Sequence, residues 1–262
     1  MTGAGPLLST AAGLVYALIL APVAVVVVLA FSADNFIAFP PSGYSTRWFA
    51  QLMSNAPLLG ALRLSAQIAV VVTCLSMLIG VPAAVALDRA QFRGRDVARA
   101  FFLAPLLLPT LITGLALLLA FAPLRLTGTW QGLVLGHMIV TLPFAVRMMT
   151  TAFATLPEDI EAAAATLGAR PSRVLLRVTL PLAAPGLVAC AALSFLLSFD
   201  ETVISLFVAG PRAATLPVEM VHYVEGRTDP LIAALSVVLI AATVTVVVLV
   251  ERLVGVARAI RS

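Results

Sequence analysis

The chain has 262 residues, of which 61% are hydrophobic and 11% charged, with a mean hydropathy of +1.10 and a formal charge of +4. A soluble domain runs nearer ~45–50% apolar and ~25% charged, so this composition excludes one and specifies an integral membrane protein. All sixteen basic residues are arginines; without a lysine there is no Walker A loop to hold the β- and γ-phosphates of ATP, and the chain is not itself a P-loop ATPase.

The apolar segments are each about the ~20 residues that a bilayer requires, which predicts an all-α, polytopic protein of six transmembrane helices. The short alternating segments of a β-barrel are not visible. A first span is predicted from about Ala11 to Phe31, bent at Pro22 and retained rather than cleaved as a signal peptide. Residues from Ser32 to about Leu59 are mixed and aromatic, with Phe36, Phe39, Tyr44, Trp48 and Phe49, as suits the headgroup level or an ordered external loop. The second span runs from about Ala61 to Leu87 and ends at a charged cluster, Asp88, Arg89, Arg93, Arg95, Asp96 and Arg99. A third, about Ala100 to Ala122, carries Pro105 and Pro109, whose freed carbonyls need neighbouring helices or water. The fourth, about Gln131 to Thr150, has Gly132 and Gly136 at the spacing of close helix packing, and His137, expected to make an interhelical hydrogen bond. Two cysteines, Cys74 and Cys190, lie in apolar runs and read as packing residues.

Next comes the longest polar interruption, within residues 151–185. Thr155 and Glu158 form a T-x-x-E capping pattern, and Pro157 fits a first helical turn. Glu158, Asp159 and Glu161 suit the positive end of a helix dipole, four alanines continue the helix, and Gly168 ends it. Pro171 opens a second short helix bearing Arg170, Arg173 and Arg177. A fifth span, about Gly186 to Ala209, contains Asp200 and Glu201 about fourteen residues in, roughly 21 Å along a helix. An external segment from Gly210 to Pro230 precedes the sixth span, about Leu231 to Val250.

With the amino terminus inside, Arg89, Arg93, Arg95, Arg99, Arg147, Arg170, Arg173, Arg177, Arg252, Arg258 and Arg261 fall on the inner side, and Arg47, Arg63, Arg125, Arg212 and Arg227 on the outer. The positive-inside rule selects that orientation, which puts both termini and the polar loop in the cytoplasm. The expected organisation is a first helix and interfacial segment over 1–60, then a core of five spans over 61–255.

Glu161, Ala162 and Ala163, with Gly168 five residues past the second alanine and Leu180-Pro181 beyond, resemble the signature loop of ABC-importer membrane subunits. RWF at Arg47 to Phe49, LGHMIVTLPFAVR at Leu135 to Arg147, SFDETVISLFVAGP at Ser198 to Pro211 and TLPVEM at Thr215 to Met220 are similar to the polyamine (spermidine/putrescine) branch. The resemblance covers roughly the whole chain. It implies the type I importer permease fold in a bacterial inner membrane, and a translocation path shared with a second, homologous permease. It also implies an ATPase dimer inside and a substrate-binding protein outside. The loop would be the coupling helix, with Glu158, Asp159, Glu161, Ala162, Ala163, Gly168, Arg170 and Arg173 meeting the ATPase, or the arginines meeting anionic lipid. No cofactor is expected in this chain, since ATP and magnesium belong to the ATPase, and neither a catalytic group, a metal site nor nucleic-acid binding is expected. Ferric iron, thiamine or an aminophosphonate are alternative cargoes, and an ATP-independent secondary transporter is the rival of another class.

Two readings stand for Asp200 and Glu201. Ionisable groups at such depth face a cavity or a partner, so they either line a path for a cationic cargo or pair across the subunit interface. His222, Tyr223, Glu219, Glu225 and Asp229 either receive a cation outside or form a solvated surface.

Overall fold

The computed structural model describes residues 6–210 and 213–259, with the side chains of 6–7, 158 and 253–259 outside the description. Arg212, Arg258 and Arg261 of the charge argument therefore lie outside the described side chains. Among the described residues every regular element is helical, and only isolated bridges, Ser32 to Tyr44 and Gly210 to Ala213, link extended backbone.

Four helices are long and apolar enough to cross a membrane alone: α1 (Pro6–Ala30), α3 (Ala56–Arg89), α6 (Trp130–Ala154) and α13 (Leu231–Ala259). A short helix, α2 (Arg47–Ser54), precedes α3. Two further spans are bent pairs. The first joins α4 (Arg95–Leu103) and a 3₁₀ turn (Ala104–Leu107) to α5 (Thr110–Phe121) at 102°. The other follows α7 (Glu158–Thr166): α8 (Pro171–Val174), a π turn (Leu175–Thr179) and α9 (Leu180–Leu182) meet α10 (Ala184–Phe199) at 71°. Two short helices, α11 (Val203–Val208) and α12 (Leu216–Gly226), lie between α10 and α13. Counting each bent pair once gives the six spans expected.

The straight third span expected over about 100–122 is corrected by this bend. Leu108 is extended at φ −94°, ψ 137°, the conformation that a following proline imposes, and Pro109 then starts α5 afresh. The fifth span is corrected too: α10 stops at Phe199, and Asp200 to Thr202 are non-helical before α11. Pro181 explains the π turn just before it. A proline inside a helix clashes with the carbonyl four residues back, and one extra residue in that turn relieves the clash.

The chain forms two units. In the first, the described part of Met1–Gly60 with Glu219–Val244, the loop after α1 is tightly tied. Arg47 donates to Asn35 at 2.9 Å and lies 4.7 Å over the Trp48 ring, while Trp48 Nε1 donates to Ser32 O at 3.0 Å. Phe31 packs on Phe49 at 5.0 Å between centroids. Arg-Trp-Phe is thus the clasp of an ordered loop, and Phe36, Phe39 and Tyr44 stay exposed. The Ser42 hydroxyl and amide, both bonded to Asp34, hold its carboxyl below the usual range. Tyr223 donates to Asp229, which caps the start of α13 through Leu231 N at 3.1 Å; burial, then that carboxylate, pushes the Tyr223 phenol up.

The second unit, Ala61–Val218 with the described part of Thr245–Ser262, carries the core. Ile68, Val72, Leu117, Leu133, Ile204 and Val208 pack α3, α5, α6 and α11 together. Ala84, Ala145, Met149, Phe153, Ala183 and Cys190 form a second cluster where α3, α6 and α10 meet. Glycines set the approach: a Cβ on Gly114 would sit 2.5 Å from Phe207, and one on Gly136 would sit 2.9 Å from Ile204. Gly136 is thus the helix-packing residue its spacing predicts, whereas Gly132 is a correction: a Cβ there would sit 2.0 Å from Leu126 O, so it makes room for the loop that enters its own helix. Cys190 packs as expected, whereas Cys74 is exposed on α3, a correction: an apolar run does not reveal which face of its helix is covered.

Candidate functional site

The polar loop between α6 and α10 folds as its sequence asks, with one correction at its start. Pro157, not Thr155, is the N-cap of α7, and it makes no side-chain cap bond. Thr155 instead closes α6, its hydroxyl donating to Ala152 O at 2.8 Å. A hydroxyl near a helix end finds a free carbonyl one turn back, which competes with capping forward. Glu158 is the first residue of α7, and its side chain lies outside the described atoms.

The end of α7 is a Schellman motif. Gly168 takes φ +81° and donates to Ala165 O at 2.9 Å, and Ala169 donates to Ala164 O at 3.1 Å. Ala162, Ala163 and Leu167 are exposed, Leu167 at 89%, as are Asp159, Arg170, Arg173 and Arg177. The loop therefore offers a small-residue, apolar surface flanked by both charges.

Glu161 does not join that surface. Its Oε1 accepts from Arg89 Nη2 at 3.3 Å, as an ion pair, and from the Thr179 hydroxyl at 3.0 Å. Arg89 Nη2 also donates to Phe153 O at 3.3 Å, and Nη1 lies 3.4 Å from the Asp88 carboxylate. One guanidinium thus fastens the last residue of α3 to the end of α6 and to α7, while Thr179 brings in the π turn. The sequence reading has Glu161 meeting the ATPase; within this chain its Oε1 is engaged by Arg89 and Thr179. Arg89 and Thr179 were missed because they stand 72 and 18 residues from Glu161. The signal available was an arginine closing one span and an acid opening the next polar helix.

The second candidate cluster is the break in the fifth span. Asp200 is exposed at the end of α10; Glu201 is half-buried and its Oε1 accepts from Ile204 N at 3.0 Å, capping α11. His137 grips both sides of this break, with Nδ1 at 3.0 Å from Ser198 Oγ and Nε2 at 2.9 Å from Ser205 Oγ. Ser205 donates its hydroxyl hydrogen to Glu201 O at 2.7 Å, so it must accept from His137. That bond puts a proton on Nε2. The expected interhelical hydrogen bond is present, and there are two. Ser198 and Ser205 were missed, because serine in an apolar run carries no sign of its partner. His222, Glu219 and Glu225 lie on α12.

Residues 76–258 match the family model described as "Binding-protein-dependent transport system inner membrane component". The chain is 33% identical over 229 residues to the putrescine transport system permease protein PotI of Escherichia coli, covering 85% of this chain and 81% of that one. It is 31% identical over 234 residues to the spermidine/putrescine transport system permease protein PotC of Escherichia coli, covering 89% and 88%. It is also 38% identical over 232 residues to the molybdenum transport system permease protein ModB of Mycobacterium bovis, covering 81% and 87%. Among solved structures, a bacterial ABC transporter involved in the import of the acidic polysaccharide alginate superposes with a TM-score of 0.68 at 15% identity, over 93% of this chain and 94% of that one. The MetNI methionine ABC transporter in an inward-facing conformation gives 0.62 at 20% identity, over 76% and 95%. These two establish the fold.

Proposed function

The chain belongs to the family of binding-protein-dependent transport system inner membrane components and is the permease of an ABC importer, and from that premise we propose that it carries polyamines with a partner ATPase gripping α7. The core over 61–255 forms half of the path, and a second, homologous permease forms the other. A substrate-binding protein delivers cargo on the outer side. Both termini lie in the cytoplasm, as the arginine distribution favours.

The observation that carries this reading is the division of labour in the loop. Ala162, Ala163, Gly168 and Leu167 are exposed for a close, dry contact, and Asp159, Arg170 and Arg173 lie around them for charge pairing. Glu161 holds that surface to the spans. Glu158 opens the same helix. ATP binding closes the ATPase dimer, α7 follows, and the fastening through Arg89 passes the displacement to α3 and α6. Such a shift arises only if the ATPase binds one arrangement of the permease more tightly than the other.

For cargo, PotI and PotC carry putrescine and spermidine by their names, and the break at Asp200 and Glu201 offers carboxylates to a polycation. Non-helical backbone within a span is tolerated where it lines a cavity or is buried in protein, which fits a place on the path and pairing across the interface alike. ModB's named cargo makes a molybdenum oxyanion the second reading, to which carboxylates are repulsive. The test is uptake by proteoliposomes holding the permease pair, the ATPase and the binding protein. Labelled putrescine or spermidine should enter only with ATP, and Asp200→Asn should lower that uptake. Uptake of molybdate, ferric iron, thiamine or an aminophosphonate instead would move the cargo; polyamine uptake without ATP would remove the ATPase.

A further inference from the structure

We propose that a basic cavity between α4, the end of α3 and the C-terminal half of α6 holds the phosphate headgroup of an anionic phospholipid. The cavity has a volume of about 390 Å³, and Leu87, Asp88, Arg99, Leu103, Arg147 and Thr150 are among its lining. Its hydrogen-bond donors are the two guanidinium groups. Arg99 spends one N–H on Leu87 O at 3.4 Å, and Arg147 is exposed on α6. The hydroxyls of Thr150 and Thr151 are committed to Val146 O at 2.8 Å and Arg147 O at 3.1 Å. Asp88 is engaged by Arg89 at 3.4 Å, so the cavity presents net positive charge.

An arginine-lined cavity alone suits any phosphate. What selects a lipid is α4. None of its residues is buried, and Arg95 turns back to Leu87 O at 2.7 Å and Asp88 O at 3.2 Å. Val97 and Phe101, one turn apart, are 73% and 75% exposed, and Leu107 just beyond is 84% exposed. At 102° the two arms of this bent span cannot both run along the membrane normal, and α4, the arm that carries the charged residues, is the one suited to the interface. That is the geometry of an interfacial amphipathic helix, with an apolar side for acyl chains beside a basic pocket for the headgroup. The arginine-rich side is the inner one by the charge rule, where anionic lipid is met.

The experiment is native mass spectrometry of the full-length chain in detergent, titrated with phosphatidylglycerol, phosphatidylcholine of the same acyl chains, or inorganic phosphate. The wild type should retain one phosphatidylglycerol in preference to phosphatidylcholine, and that preference should fall roughly fivefold per arginine removed in Arg99→Gln, Arg147→Gln. The charge-matched control Arg63→Gln, Arg125→Gln should keep it. Equal retention of both lipids by the wild type overturns the site, as does an unchanged preference in the double variant. Displacement of phosphatidylglycerol by millimolar inorganic phosphate would make it a soluble-anion pocket instead. If the double variant fails to give a helical, monodisperse sample, the single Arg147→Gln variant and the wild-type comparison decide.

Discussion

At the residue scale, two side chains hold the candidate sites in place. Replacing Arg89 by Gln removes the ion pair to Glu161 and leaves a half-buried carboxylate on Thr179 alone. The loss should be about 1–3 kcal/mol locally. The informative readout is coupling. ATPase activity of the assembled complex should persist while ATP-driven uptake drops, whereas a merely structural residue would lower both together. Removing His137 strips two interhelical hydrogen bonds and leaves Ser198 and Ser205 partly unsatisfied. His137→Ala should lower the thermal unfolding midpoint, by about 1–3 kcal/mol in stability. His137→Gln, which can still bridge a donor and an acceptor, should recover part of it. The histidine's role was legible from one polar residue in an apolar span, where hydrogen bonding across helices is the common outcome. Glu161's was legible only in half: its place in the loop was plain, but its partner depends on where α3 ends in space.

At the scale of elements, helix termini and glycine seams were readable, and breaks were not. Gly168 ends α7 because an unhindered residue can take φ +81° and complete both capping bonds. A Cβ there meets nothing within 4 Å, so the cost of a substitution is conformational, about 1–2 kcal/mol. Gly168→Asp should therefore leave the protein inserted and folded but weaken retention of the ATPase on affinity purification; full retention would count against a docking role for the loop. Gly136 differs, because its seam against Ile204 has no slack. Gly136→Ile should destabilise by about 1–3 kcal/mol through overpacking, measured as a lower thermal midpoint. The break at Leu108–Pro109 lies in a run whose hydropathy barely changes, and the two acids at Asp200 and Glu201 mark a polar spot without showing that the helix stops there. Hydropathy reports transfer to lipid, not direction, so it counts six apolar segments without revealing which are bent. Pro109 was a visible cause. At Asp200 the break is held by Glu201, which accepts from Ile204 N, and by His137 bridging Ser198 and Ser205, contacts that no sequence pattern displays.

At the scale of the molecule, composition alone established a helical membrane protein, and the spacing of Glu161, Ala162, Ala163 and Gly168 pointed to the importer permeases that the family match identifies. What sequence pattern could not supply was which loop residues face outward and which are tied to the spans. Among the described side chains it singled out, Asp159, Ala162, Ala163, Arg170 and Arg173 are exposed and Glu161 alone is turned inward, since an acid on a helix can serve either a partner or its own fold. The central claim is that the outward face of α7 is where ATP-driven motion enters. A photo-crosslinking amino acid at Leu167, in cells co-expressing the partner ATPase, tests it most directly. The account predicts an adduct with the ATPase at Leu167 and none from the same probe at Leu124. Efficient labelling of Leu167 from the outer side of the membrane, or no adduct with the ATPase in an assembly that transports, would contradict it.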